Sequence, residues 1–129
     1  MIVLDASVVV DLLLRHDPEP IEQIAFSAAS AWQAPHLLDL EVASALRRFA
    51  LRGDIPAARA TAALALFADL SFDRHDHEAL LPRIWALRHT HTAYDAAYVA
   101  LAEALQATLL TRDSRLASSH GHSANIVKV

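Results

Sequence analysis

The sequence predicts an α/β fold in which a parallel sheet lies between layers of helices. Three observations predict it. Ile2-Val3-Leu4 is an apolar run without alternation, as expected of a strand buried on both faces of a parallel sheet, and it leads straight into Asp5-Ala6-Ser7. The same device returns near the other end as Thr108-Leu109-Leu110-Thr111-Arg112-Asp113-Ser114. Between such runs lie segments of helical periodicity, and alternating strands and helices imply right-handed crossovers around a parallel sheet. Ligands of open α/β sheets bind at the carboxyl ends of the strands, so an acid there on two strands marks a site.

After the first strand, Ser7 is placed to cap a helix over about residues 8 to 15, which Asp17-Pro18 stops. Glu19 to Ser30 reads as a second helix with Ile21, Ile24, Ala25 and Ala28 on one face. Trp32 to Pro35 suits a brief strand. Leu37 to Arg52 is the clearest helix, with Leu38, Val42, Leu46 and Phe49 near helical spacing and Gly53 at its end. Pro56 fits a first helical turn, and the alanine-rich run continues as helix to Asp69. Leu70 to Asp73 reads as a strand and His77 to Arg88 as a helix. Thr92-Ala93-Tyr94-Asp95 is a capping-box pattern opening a helix to about Leu105. Thr108 to Thr111 is the second buried strand, Asp113 to Ser119 a short helix and Ile126 to Val129 a last strand.

The chain has 129 residues, 54% hydrophobic and 20% charged, which is a globular composition with enough length for a real core. No linker, repeat or low-complexity tract divides it, so one domain spanning 1–129 is expected. With no cysteine, disulfides and thiolate metal sites are excluded. The longest apolar run, Ala62 to Ala68, is far shorter than a membrane span of roughly 18 residues. The N-terminus has no basic lead-in and no secretory pattern, so a cytoplasmic protein is expected. The formal net charge of −4 gives no global attraction to nucleic acid. A phosphate-bearing partner would need a local basic patch or bound cations.

Four acids bear on function, and each has an ordinary structural reading. Asp5 and Asp113 end buried strands and could cap the helices that follow. Glu41 could complement the positive end of its helix, although Ser44 and Ala45 one turn on leave room for an inward carboxylate. Asp95 occupies the third turn position of the Thr92 capping box, followed by Ala96, Ala97, Ala100 and Ala102. The sharper reading is convergence. Two carboxylates about 4 Å apart repel by roughly 4 kcal/mol at an effective dielectric near 20, so a fold gathers four only if protons or cations compensate. An all-oxygen site favours hard ions such as Mg²⁺ or Mn²⁺, and two such ions can activate water for in-line phosphodiester displacement.

In these segments the chain resembles the PIN-domain ribonucleases, and most closely the VapC toxins of bacterial toxin–antitoxin pairs. The matching stretches are Val3-Leu4-Asp5-Ala6-Ser7, Leu38-Asp39-Leu40-Glu41-Val42-Ala43, Thr92-Ala93-Tyr94-Asp95-Ala96-Ala97-Tyr98-Val99-Ala100-Leu101-Ala102 and Leu110-Thr111-Arg112-Asp113. They stand in family order and spacing over essentially the whole chain. The resemblance implies a PIN-like three-layer α/β/α sandwich with a central parallel sheet. It also implies a Mg²⁺- or Mn²⁺-dependent endoribonuclease that cleaves RNA by metal-activated water. The family's metal-binding and catalytic acids map onto Asp5, Glu41, Asp95 and Asp113, with hydroxyl supports at Ser7 and Thr111. Many relatives carry a further acid where this chain reads Ser114-Arg115-Leu116-Ala117, so no fifth ligand is evident and one ion or two stays open. The resemblance further implies a homodimer and a cognate VapB-type antitoxin that lays a helix or tail over the toxin near its acidic pocket.

Other features carry less. Arg47, Arg48 and Arg52 read as a solvated helix face, whereas Arg112 and Arg115 flank Asp113 and could steer RNA phosphates. The pairs His75-x-His77, His89-x-His91 and His120-x-His122 read as surface residues rather than a transition-metal site. Trp32, Trp85, Tyr94 and Tyr98 read as core or interface residues. Two alternatives accompany the ribonuclease expectation. One is a haloacid-dehalogenase-type phosphatase, which would want a second Asp where Ser7 stands; the other is a catalytically inactive PIN-like binding module.

Overall fold

A computed structural model describes residues 1–27 and 31–129. Its strands are β1 (Ile2–Leu4), β2 (Trp32–Pro35), β3 (Phe72–His75), β4 (Thr108–Thr111) and β5 (Asn125–Lys128). Its helices are α1 (Ala6–Leu13), α2 (Glu19–Ala25), α3 (Leu37–Arg52), α4 (Ala57–Asp69), α5 (Leu81–Ala86), α6 (Ala93–Leu105) and α7 (Ser114–Ala117), with a 3₁₀ turn at Glu78–Leu80 before α5. All strand pairings are parallel, in the order β3-β2-β1-β4-β5. The chain therefore builds outward from β1 to β3, returns through α5 and α6, and adds β4 and β5 on the other side of β1. That reversal puts the topological switch point between β1 and β4, where a crevice opens at the carboxyl ends of the two strands.

Alternation along β1 and β4 sends side chains to both layers. Ile2, Leu4 and Leu110 pack with the buried faces of α1, α2, α3 and α4. Val3 and Leu109 pack with the alanine face of α6, with Ile84 and Leu87, and with Leu116 of α7. Burial on both faces is why these strands read as continuous apolar runs. The result is the three-layer α/β/α sandwich with a central parallel sheet. Among the described residues, no helix is long and apolar enough to cross a membrane.

Local chemistry explains where the elements stop. Gly53 terminates α3 at φ 78°, a left-handed position that glycine adopts without a Cβ penalty, and its N–H donates to Ala50 O. The helix expected over His77 to Arg88 is broken into the 3₁₀ turn and α5, because Pro82 lacks an N–H and is accommodated only in a first turn. The strand expected over Leu70 to Asp73 begins two residues later. Leu70 serves as the C-cap of α4, and pairing with β2 starts at Phe72 against Trp32. Glu19 opens a helix as expected, but α2 gives way to a turn at Phe26 and Ser27; the expected continuation over residues 28–30 lies outside the described residues. Ser7 does not cap α1. The N-cap position is Asp5, which makes no side-chain capping bond, and Ser7 lies in the first turn.

Candidate active site

Asp5, Glu41, Asp95 and Asp113 line one cavity of about 450 Å³, together with Ser7, Asp11, Ser44, Arg48 and Arg112. The cavity opens at the switch point between β1 and β4. Each acid arrives on a different element. Asp5 follows β1, Glu41 sits in the second turn of α3, Asp95 in the first turn of α6, and Asp113 at the N-cap of α7.

Two hydroxyls lock the ends of β1 and β4 together around Asp5. Thr111 Oγ1 donates to Asp5 Oδ2 at 2.7 Å and accepts from the Asp113 N–H at 3.0 Å. Ser7 Oγ donates to the same Asp5 oxygen at 2.9 Å and accepts from the Arg112 N–H at 3.1 Å. The Asp5 N–H donates to Leu110 O at 3.1 Å. Both hydroxyls thus use donor and acceptor at once. Asp5 Oδ2 is held by protein donors, and Oδ1 takes part in neither of these bonds. Thr111 is fully buried and Asp5 is 9% exposed.

Glu41 and Asp113 likewise have one oxygen held by hydrogen bonds, whereas among the described residues the Asp95 carboxylate has only its ion pair with Arg115. Tyr98 Oη donates to Glu41 Oε1 at 2.7 Å, reaching from α6 to α3. Asp113 Oδ1 accepts from the N–H groups of Arg115 and Leu116 at 2.8 and 3.3 Å, while Oδ2 lies toward the Arg115 guanidinium. At Asp95 the capping box is half made: Thr92 Oγ1 accepts from the Asp95 N–H at 3.1 Å, and the Asp95 carboxylate lies against Arg115 instead. Capping and site roles therefore coexist in Asp113, whereas at Asp95 the capping is done by Thr92 alone.

The electrostatics are those of gathered like charge. Burial, reinforced by Asp95, holds the Asp5 carboxyl above the usual range despite the bonds from Thr111 and Ser7. Burial first, then the charges of Asp5 and Asp95, raises Glu41. Burial and the Asp113 charge raise Asp95, against the opposing pull of Arg115. Burial beside Glu41 raises the Tyr98 phenol as well, so it stays a donor. Arg115 Nη2 stands 3.7 Å from both Asp95 Oδ2 and Asp113 Oδ2, so those oxygens are at most twice that distance apart with a cation between them. At 79% side-chain exposure, this guanidinium is a loosely held counter-charge.

The donor set consists of oxygens alone, which suits a hard divalent cation. Among the described residues no three His, Asp or Glu side chains are drawn to ligand distance as they stand. The four acids line one cavity without converging on a single point. The raised proton affinities of Asp5, Glu41 and Asp95 mark a place where positive charge would be favourable. The residues fit such an ion by the chemistry of their oxygen donors.

The two arginines expected to steer phosphate differ. Arg112 is 18% side-chain exposed and turned inward. Its Nε lies 3.1 Å from Asp11 Oδ2, out of hydrogen-bonding alignment, and its Nη atoms reach Asp17 Oδ2 and the carbonyls of His16 and Asp17. It clamps the α1–α2 connection, where Arg15 and Asp17 have positive φ, and its charge is spent there. Arg115 stands beside Asp95 and Asp113, its side chain 79% exposed. Tyr98 was legible only as a core aromatic, and Asp11 carried no signal. His91 is 8% exposed, contrary to the surface reading of its pair, because its ring packs on His122 with centroids 5.6 Å apart. Trp85 and Tyr94, expected in core or interface, are 69% and 63% exposed.

The chain is similar to known proteins over nearly its whole length. The PIN domain family matches residues 2–119. Ribonuclease VapC1 of Mycobacterium tuberculosis is 46% identical over 92% of this chain and 90% of its own length. VapC ribonuclease Mb0985 of Mycobacterium bovis is 44% identical over 92% and 91%. Among solved structures, PAE2754 from Pyrobaculum aerophilum superposes with a TM-score of 0.71 at 25% identity, covering 97% of this chain and 81% of that one. With the family model matching residues 2–119 and relatives at this identity, the chain belongs to the PIN-domain family, in its VapC branch.

Proposed function

We propose that this chain is an endoribonuclease toxin of a type II toxin–antitoxin pair, hydrolysing RNA phosphodiesters with Mg²⁺ or Mn²⁺ held by Asp5, Glu41, Asp95 and Asp113. The observation that carries the reading is the single cavity lined by all four acids, three of them with raised proton affinity. The ribonuclease names of relatives at 40–46% identity support the substrate class.

A divalent ion bound there would lower the pKa of a water and neutralise phosphate charge, which is how an acidic protein admits RNA. The protein's own part is orientation. Thr111 and Ser7 fix Asp5, Tyr98 fixes Glu41, and the first N–H groups of α7 fix Asp113, each through one oxygen. Arg115, loosely held between Asp95 and Asp113, is free to turn to a phosphate oxygen once a stronger cation takes its place. We assign the partners as RNA, a VapB-type antitoxin bound across the mouth of the acidic cavity, and a second copy of the chain. In this reading residues 1–129 act as one domain.

The test is cleavage of a panel of RNAs with Mg²⁺, Mn²⁺ or EDTA, for wild type and Asp5→Asn. Cleavage that needs the ion and is lost in the variant is expected, and activity surviving both chelation and substitution overturns the reading. Growth arrest on expression, relieved by Asp5→Asn, separates a toxin from an inert binding module.

A further inference from the structure

A second cavity, of about 390 Å³, adjoins the acidic one and shares Asp95 with it. Its character is the opposite. Apart from Asp95, its charged lining is Arg88 and Arg115, with His89, His91 and Thr90 beside them. Arg115 stands on the boundary, 3.7 Å from the acids of the first cavity while lining the second. His91 is buried, its Nδ1 paired with Thr90 Oγ1 at 2.8 Å and its Nε2 without a partner. A buried imidazole nitrogen left unpaired is costly. Arg88 continues outward to an aromatic surface: its guanidinium lies 4.8 Å over the indole of Trp85, which is 69% exposed. A large aromatic left in water beside a cationic hollow offers a base a stacking face and its phosphate a counter-charge.

Resting on the ribonuclease reading, we propose that this second cavity is a nucleotide subsite. It takes the single-stranded RNA residue next to the scissile phosphodiester, its phosphate against Arg88 and Arg115 and its base stacked on Trp85. Cleavage chemistry then belongs to the acidic cavity, and hold on the flanking strand belongs to this one. The hollow is cationic where the first is anionic, so RNA bridging both needs a cation in only one of them. Sequence preference would arise here through stacking strength and the groups facing the base.

The experiment uses Asp5→Asn protein with Mg²⁺, so that binding is read without cleavage, and single-stranded oligo(A) and oligo(U) RNA as di- and octanucleotides. Of the two tryptophans Trp32 is buried, so exposed-indole emission reports Trp85. The octanucleotide should quench that emission, and Trp85→Phe should abolish the quench. Trp85→Ala should weaken octanucleotide binding about fivefold or more. Arg88→Gln should weaken it too and lower the slope of log affinity against log salt by about 0.7. A dinucleotide, which has the adjacent base but no flanking phosphate, should bind more weakly to Trp85→Ala and be unchanged by Arg88→Gln. Octanucleotide binding with Trp85 emission unmoved and no effect of Arg88→Gln overturns the proposal. So does absence of RNA binding, or an indole already shielded from acrylamide by a second copy of the chain. A wild-type assay with the same octanucleotides separates the two readings. Binding with quenching but no cleavage fails the ribonuclease and keeps the subsite, whereas cleavage indifferent to both variants keeps the ribonuclease and fails the subsite.

Discussion

Replacing Thr111 by valine removes one oxygen and keeps the shape of the side chain. That oxygen makes two bonds in a place water does not reach: it donates to Asp5 Oδ2 at 2.7 Å and accepts from the Asp113 N–H at 3.0 Å, and Thr111 is fully buried. A hydrogen bond to a charged group contributes about 1.5–3 kcal/mol, and a stranded buried donor costs about 1–3 kcal/mol. Thr111→Val should therefore cost about 3–5 kcal/mol, which for a chain of 129 residues is roughly 10–20 °C in Tm. Thr111→Ser, which keeps the hydroxyl, should recover most of that loss. Because the same oxygen sets the positions of two acids, activity should fall by about 10–100-fold at a temperature where the variant is still folded. Thermal unfolding followed by circular dichroism, with cleavage assayed at low temperature, reads both effects. A valine variant as stable and as active as wild type would refute the coupling of Asp5 to Asp113 through this hydroxyl.

Tyr98→Phe removes the donor to Glu41 Oε1 and should destabilise the fold by about 1–2 kcal/mol while weakening Mg²⁺ binding, read by calorimetry. Arg112→Ala should lower Tm by loosening the α1–α2 connection yet leave the salt slope of RNA binding unchanged, whereas Arg115→Ala should reduce that slope with little loss of stability. Burial raises Asp5, Glu41 and Asp95 in the folded state, so their contribution is fully present below the ordinary carboxyl range, about pH 4, and is lost as pH climbs through the raised values. Without a divalent ion, wild type should thus lose stability relative to Asp5→Asn as pH rises toward neutrality, and Mg²⁺ should restore it in wild type alone; differential scanning calorimetry against pH reads the difference.

The strands that position the site were legible because burial on both faces leaves a local signature: Ile2-Val3-Leu4 and Leu109-Leu110 are apolar without alternation and each runs into an acid. Gly53 and Thr92 were legible for the same reason, since a left-handed stop and an N-cap depend on one or two residues. What sequence could not give is pairing between distant positions. Tyr98 sits in an alanine-rich helix and looks like core, and its hydroxyl finds Glu41 only once α6 crosses the end of β1 toward α3. Arg112 lies beside Asp113 in sequence, yet its partners Asp11 and Asp17 are brought to it by the pairing of β1 with β4. His91 belongs to a pair with the look of a surface loop, and the return of the chain at His122 buries it. The acids themselves could be read as caps or as ligands, and Asp113 turns out to cap with one oxygen while leaving the other for the cavity.

In the proposed mechanism, four acids from four elements hold divalent metal together. Titration of Mn²⁺ into wild type and into Asp5→Asn, Glu41→Gln, Asp95→Asn and Asp113→Asn, followed by electron paramagnetic resonance of the free ion, tests this directly. All four substitutions should weaken Mn²⁺ binding, by about tenfold or more each, and none should unfold the protein. Wild-type affinity retained in the Glu41 and Asp95 variants would contradict it, for then the cavity would gather the acids without using them together.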